Sequence, residues 1–199
     1  MDKQDRKFWA RMFENVPEMT VDVKQGWIDN PIALKKFLAE LVPEETPKPY
    51  LRHLETITLA PTKGDATLAK AIGVFTGWLD GDFKNWGTDV GGEDTAETKV
   101  DVHEMTRNGN FQTLFGSHGD PSKLCLTQGQ IEEFCRSHRD SLRQEGYGTF
   151  FLFEVKGELF VASVFVVDGE LRARVRRFAY AYVWDADFRL RLVVQQQTA

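Results

Sequence analysis

Arginine alternates with apolar residues near the C-terminal end of the chain, and this spacing could present a row of cations to an anionic ligand. Because successive side chains of a strand point to opposite faces, the apolar positions of residues 171–176 would face a core and the arginines would face outward. The last predicted strand adds two cations by the same alternation. The candidate residues for binding nucleic acid or a protein partner are therefore Arg172, Arg174, Arg176, Arg189 and Arg191.

Two interpretations of this arginine face follow from the sequence. Guanidinium groups bind phosphate through paired hydrogen bonds, and Tyr180, Tyr182 or Trp184 could stack a base beside them. Alternatively, the face is solvated, and glutamates of neighbouring strands pair with the arginines. The net charge of −5 and the lack of an RNP-like aromatic motif favour the solvated face over a nucleic-acid interface.

A metal site is a second hypothesis. Cys135 and His138 lie three positions apart on a predicted helix, so both side chains would project from the same face, as a pair of zinc ligands must. The spacing of the candidates matches no standard zinc pattern, and a buried thiol with a histidine on an apolar helix face is the ordinary alternative. The candidate ligands are His118, Cys125, Cys135 and His138.

An acidic loop gives a third hypothesis, a metal-dependent hydrolase or nuclease. Asp80 or Asp82 could hold Mg²⁺ together with Glu97 on the following strand, and Lys99 would then stabilise the attacking water. The alternative is an ordinary solvated loop. Sequence motifs of zincins, serine hydrolases and Gly-rich phosphate loops are missing, so we expect no catalytic residue and no cofactor.

Length and composition indicate a soluble globular protein. With 199 residues, of which 42% are hydrophobic and 28% charged, the chain can bury a core of its own. No apolar run approaches the roughly 18 residues of a membrane helix, and the polar N-terminus does not match a signal peptide. We therefore expect a cytoplasmic protein that does not contact a membrane, with its two cysteines as free thiols.

A proline-rich connector divides the sequence. Three prolines within residues 43–49 exclude a helix or a central strand there. We therefore predict an N-terminal helical segment, residues 1–46, and a larger domain, residues 50–199, although one continuous domain over residues 1–199 is also consistent. Within the N-terminal segment, the predicted elements are helices over residues 5–13 and 30–42 and a weak strand over residues 20–24.

The larger domain is predicted to be α+β, with a mainly antiparallel sheet covered on one face by helices. Residues 147–194 hold runs of Val, Phe and Leu separated by glycine turns, which predicts a C-terminal four-stranded antiparallel meander. Alternating apolar residues add strands over residues 54–59 and 99–105. The sheet would therefore be the largest element of the domain.

Several helices are predicted to cover one face of this sheet, and two of them have a clear pattern. An apolar stripe between Asp65 and Gly81 indicates the first. The second, over residues 128–144, has a capping box in which Thr127 and Gln130 each satisfy a backbone donor at the helix start.

The C-terminal half carries a helix, a Tyr-Gly-Thr-Phe-Phe-Leu-Phe strand at residues 147–153 and a terminal Trp-x-x-x-Phe pattern at Trp184 and Phe188. In these features it resembles uncharacterised bacterial proteins. The resemblance implies a shared helix and sheet, and it implies no activity, cofactor or catalytic residue.

These observations favour a non-catalytic binding or accessory protein. Its exposed sheet face or terminal strand would contact a protein partner or a second copy of the chain. Nucleic-acid binding through the arginine face and a metal-dependent hydrolase are the alternatives. A pocket assembled from residues distant in sequence is the feature that would change this conclusion.

Overall fold

The chain divides into two units. The structure, a computed structural model, describes residues 2–15, 17–40 and 48–196. Contacts between Cα atoms cluster into Met1–Thr46 and Pro47–Ala199. Most of the predicted proline-rich connector lies outside the described residues.

Three helices make up the described part of the N-terminal unit: α1 (Lys3–Asn15), α2 (Val21–Asp29) and α3 (Pro31–Glu40). The strand predicted over residues 20–24 is wrong, because the Thr20 hydroxyl accepts a hydrogen bond from the Val23 backbone N–H and so begins α2. Helix α3 starts as predicted, where the Asn30 side chain accepts a backbone hydrogen bond of 3.0 Å from the first turn. Its predicted end lies outside the described residues.

The C-terminal unit contains a seven-stranded sheet, and this confirms the predicted α+β class. The strands are β1 (Leu51–Leu59), β2 (Trp78–Leu79), β3 (Thr98–Met105), β4 (Gly148–Val155), β5 (Glu158–Val167), β6 (Glu170–Arg177) and β7 (Arg191–Gln195). In space they follow the order β1-β3-β7-β4-β5-β6-β2. The sheet is mixed, and not mainly antiparallel as predicted, because β4 runs parallel to β7 and β2 runs parallel to β6.

The predicted four-stranded meander is correct only for its first three strands. Antiparallel hairpins join β4 to β5 and β5 to β6, and both turns have positive φ, at Lys156-Gly157 and at Asp168-Gly169. The fourth strand, β7, does not add to β6 but lies between β3 and β4. Residues 192–194 are all fully buried, and a strand that is apolar on both faces belongs in the middle of a sheet.

The helix predicted between Asp65 and Gly81 is also wrong. That stretch forms only a 3-10 turn at Leu68–Lys70 and the short strand β2. The backbone N–H groups of Gly77 and Asp80 donate to carbonyl groups of β6 at 3.0 and 2.9 Å, so pairing along the open edge of β6 takes the place of the helix.

The helices in the described part of the C-terminal unit are α4 (Asp82–Asn85), α5 (Phe111–Gly116), α6 (Pro121–Leu124) and α7 (Gln128–Ser137). Helix α7 begins with the predicted capping box: Thr127 Oγ1 accepts from the Gln130 backbone N–H, and Gln130 Oε1 accepts from the Thr127 backbone N–H at 2.9 Å. It ends earlier than the predicted residue 144, and a 3-10 turn at Arg139–Ser141 follows. None of the helices in the described residues is long and apolar enough to cross a membrane.

Both faces of the sheet are covered, whereas the sequence predicted helices on one face. Successive residues of β4 enter different apolar clusters. Phe151 and Phe153 pack on the side of α7, which we call side A, and Phe150 and Leu152 pack on the side of α5 and α6, which we call side B. Three arginines of β6, Arg172, Arg174 and Arg176, lie on side B, because Leu171 and its alternate neighbours are buried on side A.

Candidate functional site

The row of arginines predicted on β6 is present on side B. Within the described chain, the side chains of Arg172 and Arg174 form no ion pair and no hydrogen bond, and the Arg174 guanidinium lies over the Trp78 ring with its Cζ 5.5 Å from the centroid. Arg176 donates to the Val175 carbonyl at 2.9 Å and lies 3.8 Å from an oxygen of Asp80. The interpretation in which neighbouring glutamates pair with these arginines is therefore wrong for this row. The pair that does form joins Glu158 to Arg177, on the other face of β6, at 2.8 Å.

The other two candidate arginines do not extend this row. Arg191 faces side A, because the pairing of β7 with β4 sets its neighbour Leu192 beside Phe150 on side B. Its guanidinium donates to the carbonyl groups of Asp140 and Leu142. Arg189 lies outside the strands, at the end of a 3-10 turn, with a left-handed φ of 50°. The predicted surface of five arginines is therefore a row of three.

An extended segment after β6 brings three aromatic rings to side B. Tyr180, Tyr182 and Trp184 are alternate residues, and we call them the aromatic ladder. Tyr180 and Tyr182 stack with ring centroids 6.1 Å apart, and Trp184 meets Tyr182 edge to face at 4.8 Å. Phe150 holds Trp184 from the sheet, with 4.8 Å between centroids, and Arg176 lies over Tyr180 with its Cζ 5.5 Å from the ring centroid. The ladder is thus fixed to the sheet at both ends.

Strands β5 and β6 and the aromatic ladder enclose a pocket of about 110 Å³, which we call the donor pocket. Ser163 on β5 lies directly opposite Arg174 on β6 and is only 1% exposed. Ser163 Oγ and Trp184 Nε1 are both buried, and neither has a hydrogen-bond partner among the described residues. Leaving a buried donor unpaired costs on the order of 1–3 kcal/mol. Both atoms belong to residues that line the donor pocket.

The donor pocket has the size and chemistry for a small oxyanion. Its serine, tryptophan and arginine side chains supply O–H and N–H donors. The described residues that line it include no carboxylate. Its volume equals that of roughly four water molecules, which is enough for a phosphate or carboxylate group.

A second pocket, of about 480 Å³, lies beside the C-terminal end of β6, and we call it the edge pocket. It is lined by Asp82, Trp86 and Arg177, and it shares Arg176 and Tyr180 with the donor pocket. Trp86 is 37% exposed and Tyr180 is 40% exposed, so both rings offer apolar surface to a ligand. The two pockets therefore adjoin across one pair of side chains.

The four candidate zinc ligands do not form a metal site. Cys135 is fully buried in the side A cluster, and burial raises the pKa of its thiol. Burial also raises the pKa of the Cys125 thiol, to about 12, and this thiol donates to the Pro121 carbonyl. Zinc binds the thiolate, which these pKa shifts disfavour. His138 caps the end of α7, His118 lies with other histidines, and across the described chain no group of three or more His, Cys, Asp or Glu could hold a metal ion.

The residues of the hypothesised nuclease site lie far from one another in the structure. Asp80 follows β2 and lies near Arg176, and Asp82 begins α4. Lys99 belongs to β3, with Glu97 just before it, and β3 lies five strand positions from β2 in the sheet order. At about 4.8 Å for each strand, the separation is on the order of 20 Å. These side chains cannot share one metal ion.

Three of the four histidines converge on side B near the β1 edge, and the sequence did not predict this cluster. The ring centroids are 5.4 Å apart for His53 and His103 and 4.4 Å apart for His103 and His118. Burial, together with the neighbouring His118 and His53, lowers the pKa of His103 to about 4. His53 and His103 lie directly opposite each other on β1 and β3, so the cluster can be predicted only when the register of these strands is known.

Comparison of the chain with protein-family models, with curated proteins and with solved structures finds no match in any of the three. The resemblance of the C-terminal half to uncharacterised bacterial proteins stays a prediction. What the structure defines is an α+β protein with a donor-lined pocket on one side of its sheet.

Proposed function

We propose that the protein is a non-catalytic binding protein that holds an anionic ligand on side B of its sheet. The pairing of Ser163 with Arg174 supports this most directly. A buried hydroxyl that no described residue engages lies opposite a guanidinium whose side chain has no anionic partner in the same described chain. Charged hydrogen bonds to an oxyanion would satisfy both groups at once.

The chemistry of the donor pocket suits binding rather than catalysis. Arginine keeps its proton at physiological pH, and an indole N–H acts only as a donor, so neither group can transfer a proton in a reaction. A serine nucleophile needs a general base within hydrogen-bond reach. No described side chain is in such contact with Ser163 Oγ. The arginine, tryptophan and serine of the donor pocket therefore suit the binding of an anion.

Nucleic acid is the second candidate ligand, and the aromatic ladder is the observation that favours it. Stacked rings beside arginines match the bases and phosphates of a single strand. The row of cations is short, however, because Arg189 and Arg191 lie outside it, and the chain carries a net charge of −5. A ligand with one or a few phosphates therefore suits side B better than a long strand. Contact with a protein partner or a second copy of the chain stays a prediction from the sequence.

Titration of the full chain with inorganic phosphate, followed by NMR of the tryptophan indole N–H groups, tests the proposal. The Trp184 Nε1–H signal should shift, because the indole gains a hydrogen-bond acceptor. Arg174→Ala should weaken phosphate binding at least about tenfold, since a hydrogen bond to a charged group contributes about 1.5–3 kcal/mol.

Arg172→Ala is the matched control, because it removes the same charge from the same face outside the donor pocket. It should weaken binding less than about threefold, as expected for a screened charge. Equal losses in the two variants, or a Trp184 signal that never shifts, would contradict the proposal.

A further inference from the structure

The donor pocket and the edge pocket have Arg176 and Tyr180 in common. These side chains interact with each other, with 5.5 Å between the Arg176 Cζ and the Tyr180 ring centroid. Arg177, which also lines the edge pocket, lies on side A beside Phe160, so a ligand that occupies both pockets passes this pair at the end of β6. The pair of pockets therefore suits a ligand with two chemically different parts.

The donor pocket selects the anionic part. Ser163, Trp184 and Arg174 line it from three different segments of the chain, and each side chain carries an O–H or N–H donor. A phosphate monoester has three terminal oxygens that can accept from donors in different directions, whereas a carboxylate has two oxygens in one plane. Three separate donors around a pocket of about 110 Å³ favour the phosphate.

The edge pocket selects a planar and partly apolar part. Its volume of about 480 Å³ exceeds what the anion needs, and Trp86 and Tyr180 present exposed ring surface to it. Arg177 lies over the Trp86 ring at 5.6 Å and adds a cation suited to stacking. Asp82 contributes a carboxylate, which can accept a hydrogen bond from an amino group on a ring.

We infer that the ligand is a nucleoside monophosphate whose phosphate occupies the donor pocket and whose base occupies the edge pocket. This inference rests on the proposed binding of an anion on side B. Stacking on aromatic side chains contributes about 1–3 kcal/mol per base, so the base should add about 5-fold to 150-fold in affinity over the sugar phosphate alone.

Binding of AMP and of ribose 5-phosphate to the full chain, measured by calorimetry, tests this. AMP should bind at least about fivefold more tightly than ribose 5-phosphate. Trp86→Ala should reduce the affinity for AMP to that for ribose 5-phosphate and leave ribose 5-phosphate binding unchanged. Trp86→Phe, which keeps an aromatic ring, should retain most of the additional affinity for AMP. Trp9→Ala, at an exposed tryptophan of the N-terminal unit, should change the affinity for neither ligand.

NMR of the wild-type chain gives a second measurement that does not depend on the folding of any variant. AMP should shift the indole signals of Trp86 and Trp184, and ribose 5-phosphate should shift Trp184 alone. If ribose 5-phosphate binds through Arg174 but AMP binds no better and leaves Trp86 unshifted, the inference is wrong and anion binding stands. If neither phosphate binds, the proposed function is wrong and the inference falls with it.

Discussion

The rings of His103 and His118 meet edge to face on side B, with their centroids 4.4 Å apart. His53 approaches His103 from the neighbouring strand, and Asp101 lies 3.5 Å from His53. His103 is buried, the neighbouring His118 and His53 also disfavour its charged form, and the carboxylate of Asp101 only partly offsets these effects. Burial is the largest cause, and the pKa of His103 is lowered from its ordinary 6.5 to about 4.

This arrangement predicts a loss of stability in mild acid. Between pH 6.5 and pH 4 the unfolded chain binds a proton at His103 that the folded chain does not, so the free energy of unfolding should fall as the pH falls through this window. The loss should reach about 3 kcal/mol and then level off below pH 4, where both states are protonated. Above pH 6.5 His103 is neutral in both states and contributes no pH dependence.

His103→Phe should remove much of this pH dependence, because a ring of similar size fills the site without titrating. Urea unfolding of both chains at several pH values between 7 and 4 measures the effect. His138→Gln, at a histidine outside the cluster, should keep the wild-type slope. A wild-type slope in the His103 variant would show that other groups cause the acid sensitivity.

Removal of either of two buried hydroxyl groups on neighbouring strands should have different effects on the free energy of unfolding. Ser163 Oγ has no partner in the described structure, whereas Thr149 Oγ1 accepts a hydrogen bond of 2.7 Å from the Arg143 backbone N–H. Ser163→Ala should therefore leave stability unchanged or raise it by about 1 kcal/mol, and Thr149→Val should lower it by about 1–3 kcal/mol.

The same two variants distinguish a role of each hydroxyl group in stability from a role in phosphate binding. Ser163→Ala should also weaken phosphate binding, because the donor pocket loses its hydroxyl donor, while Thr149→Val should leave phosphate binding intact in the folded protein. Urea unfolding and phosphate titration of both variants provide the measurement. Destabilisation by Ser163→Ala as large as that by Thr149→Val would mean that the hydroxyl stabilises the fold and not a ligand.

The capping box of α7 should contribute measurably to stability. Thr127→Ala removes the acceptor for the Gln130 backbone N–H, and such a loss costs about 1 kcal/mol. Gln112→Ala, at an exposed position of α5, should cost less than about 0.5 kcal/mol. Urea unfolding of the two variants measures the difference in their free energies of unfolding. Equal losses would show that the capping box contributes nothing beyond the intrinsic helix propensity of the residues.

Local signals in the sequence predicted the elements that form through near neighbours. The capping box at Thr127 and the hairpin turn at Asp168-Gly169 depend on residues a few positions apart, and both are present. The position of β7 depends on its pairing with β3 and β4, which are remote in sequence, and it was wrong. The helix expected after Asp65 failed for the same reason, because pairing of Gly77 with β6 overrides its apolar stripe.

Some residues of the candidate site were likewise predicted from a local pattern, and others were not. Alternation along one strand predicted Arg174 and its neighbours, but Arg191 was assigned to the wrong side because the pairing partner of β7 was not known. The unpaired Ser163 hydroxyl and the position of Trp86 were not predicted, because neither follows from a local pattern. A buried polar group without a partner can be recognised only when the positions of the surrounding residues are known.

Gln128 should be one of the most sensitive polar positions, because a single side chain joins three segments that are distant in sequence. Its Oε1 accepts from the Leu68 backbone N–H at 2.9 Å, and its Nε2 donates to the carbonyl groups of Thr88 and Val90 at 2.7 and 3.0 Å. Gln128→Leu keeps the approximate shape and leaves these backbone groups unpaired, so it should cost about 3 kcal/mol. Gln112→Leu, at an exposed site, should cost less than about 0.5 kcal/mol.

Hydrogen exchange can locate the effect of the Gln128 substitution. The amide of Leu68 should exchange faster in Gln128→Leu by more than global destabilisation explains, because its acceptor is gone, while the amides of β5 should follow the global change. Uniform acceleration across Leu68 and β5 would mean that Gln128 stabilises the fold as a whole. A loss of less than about 1 kcal/mol would show that water replaces the side chain at all three backbone groups.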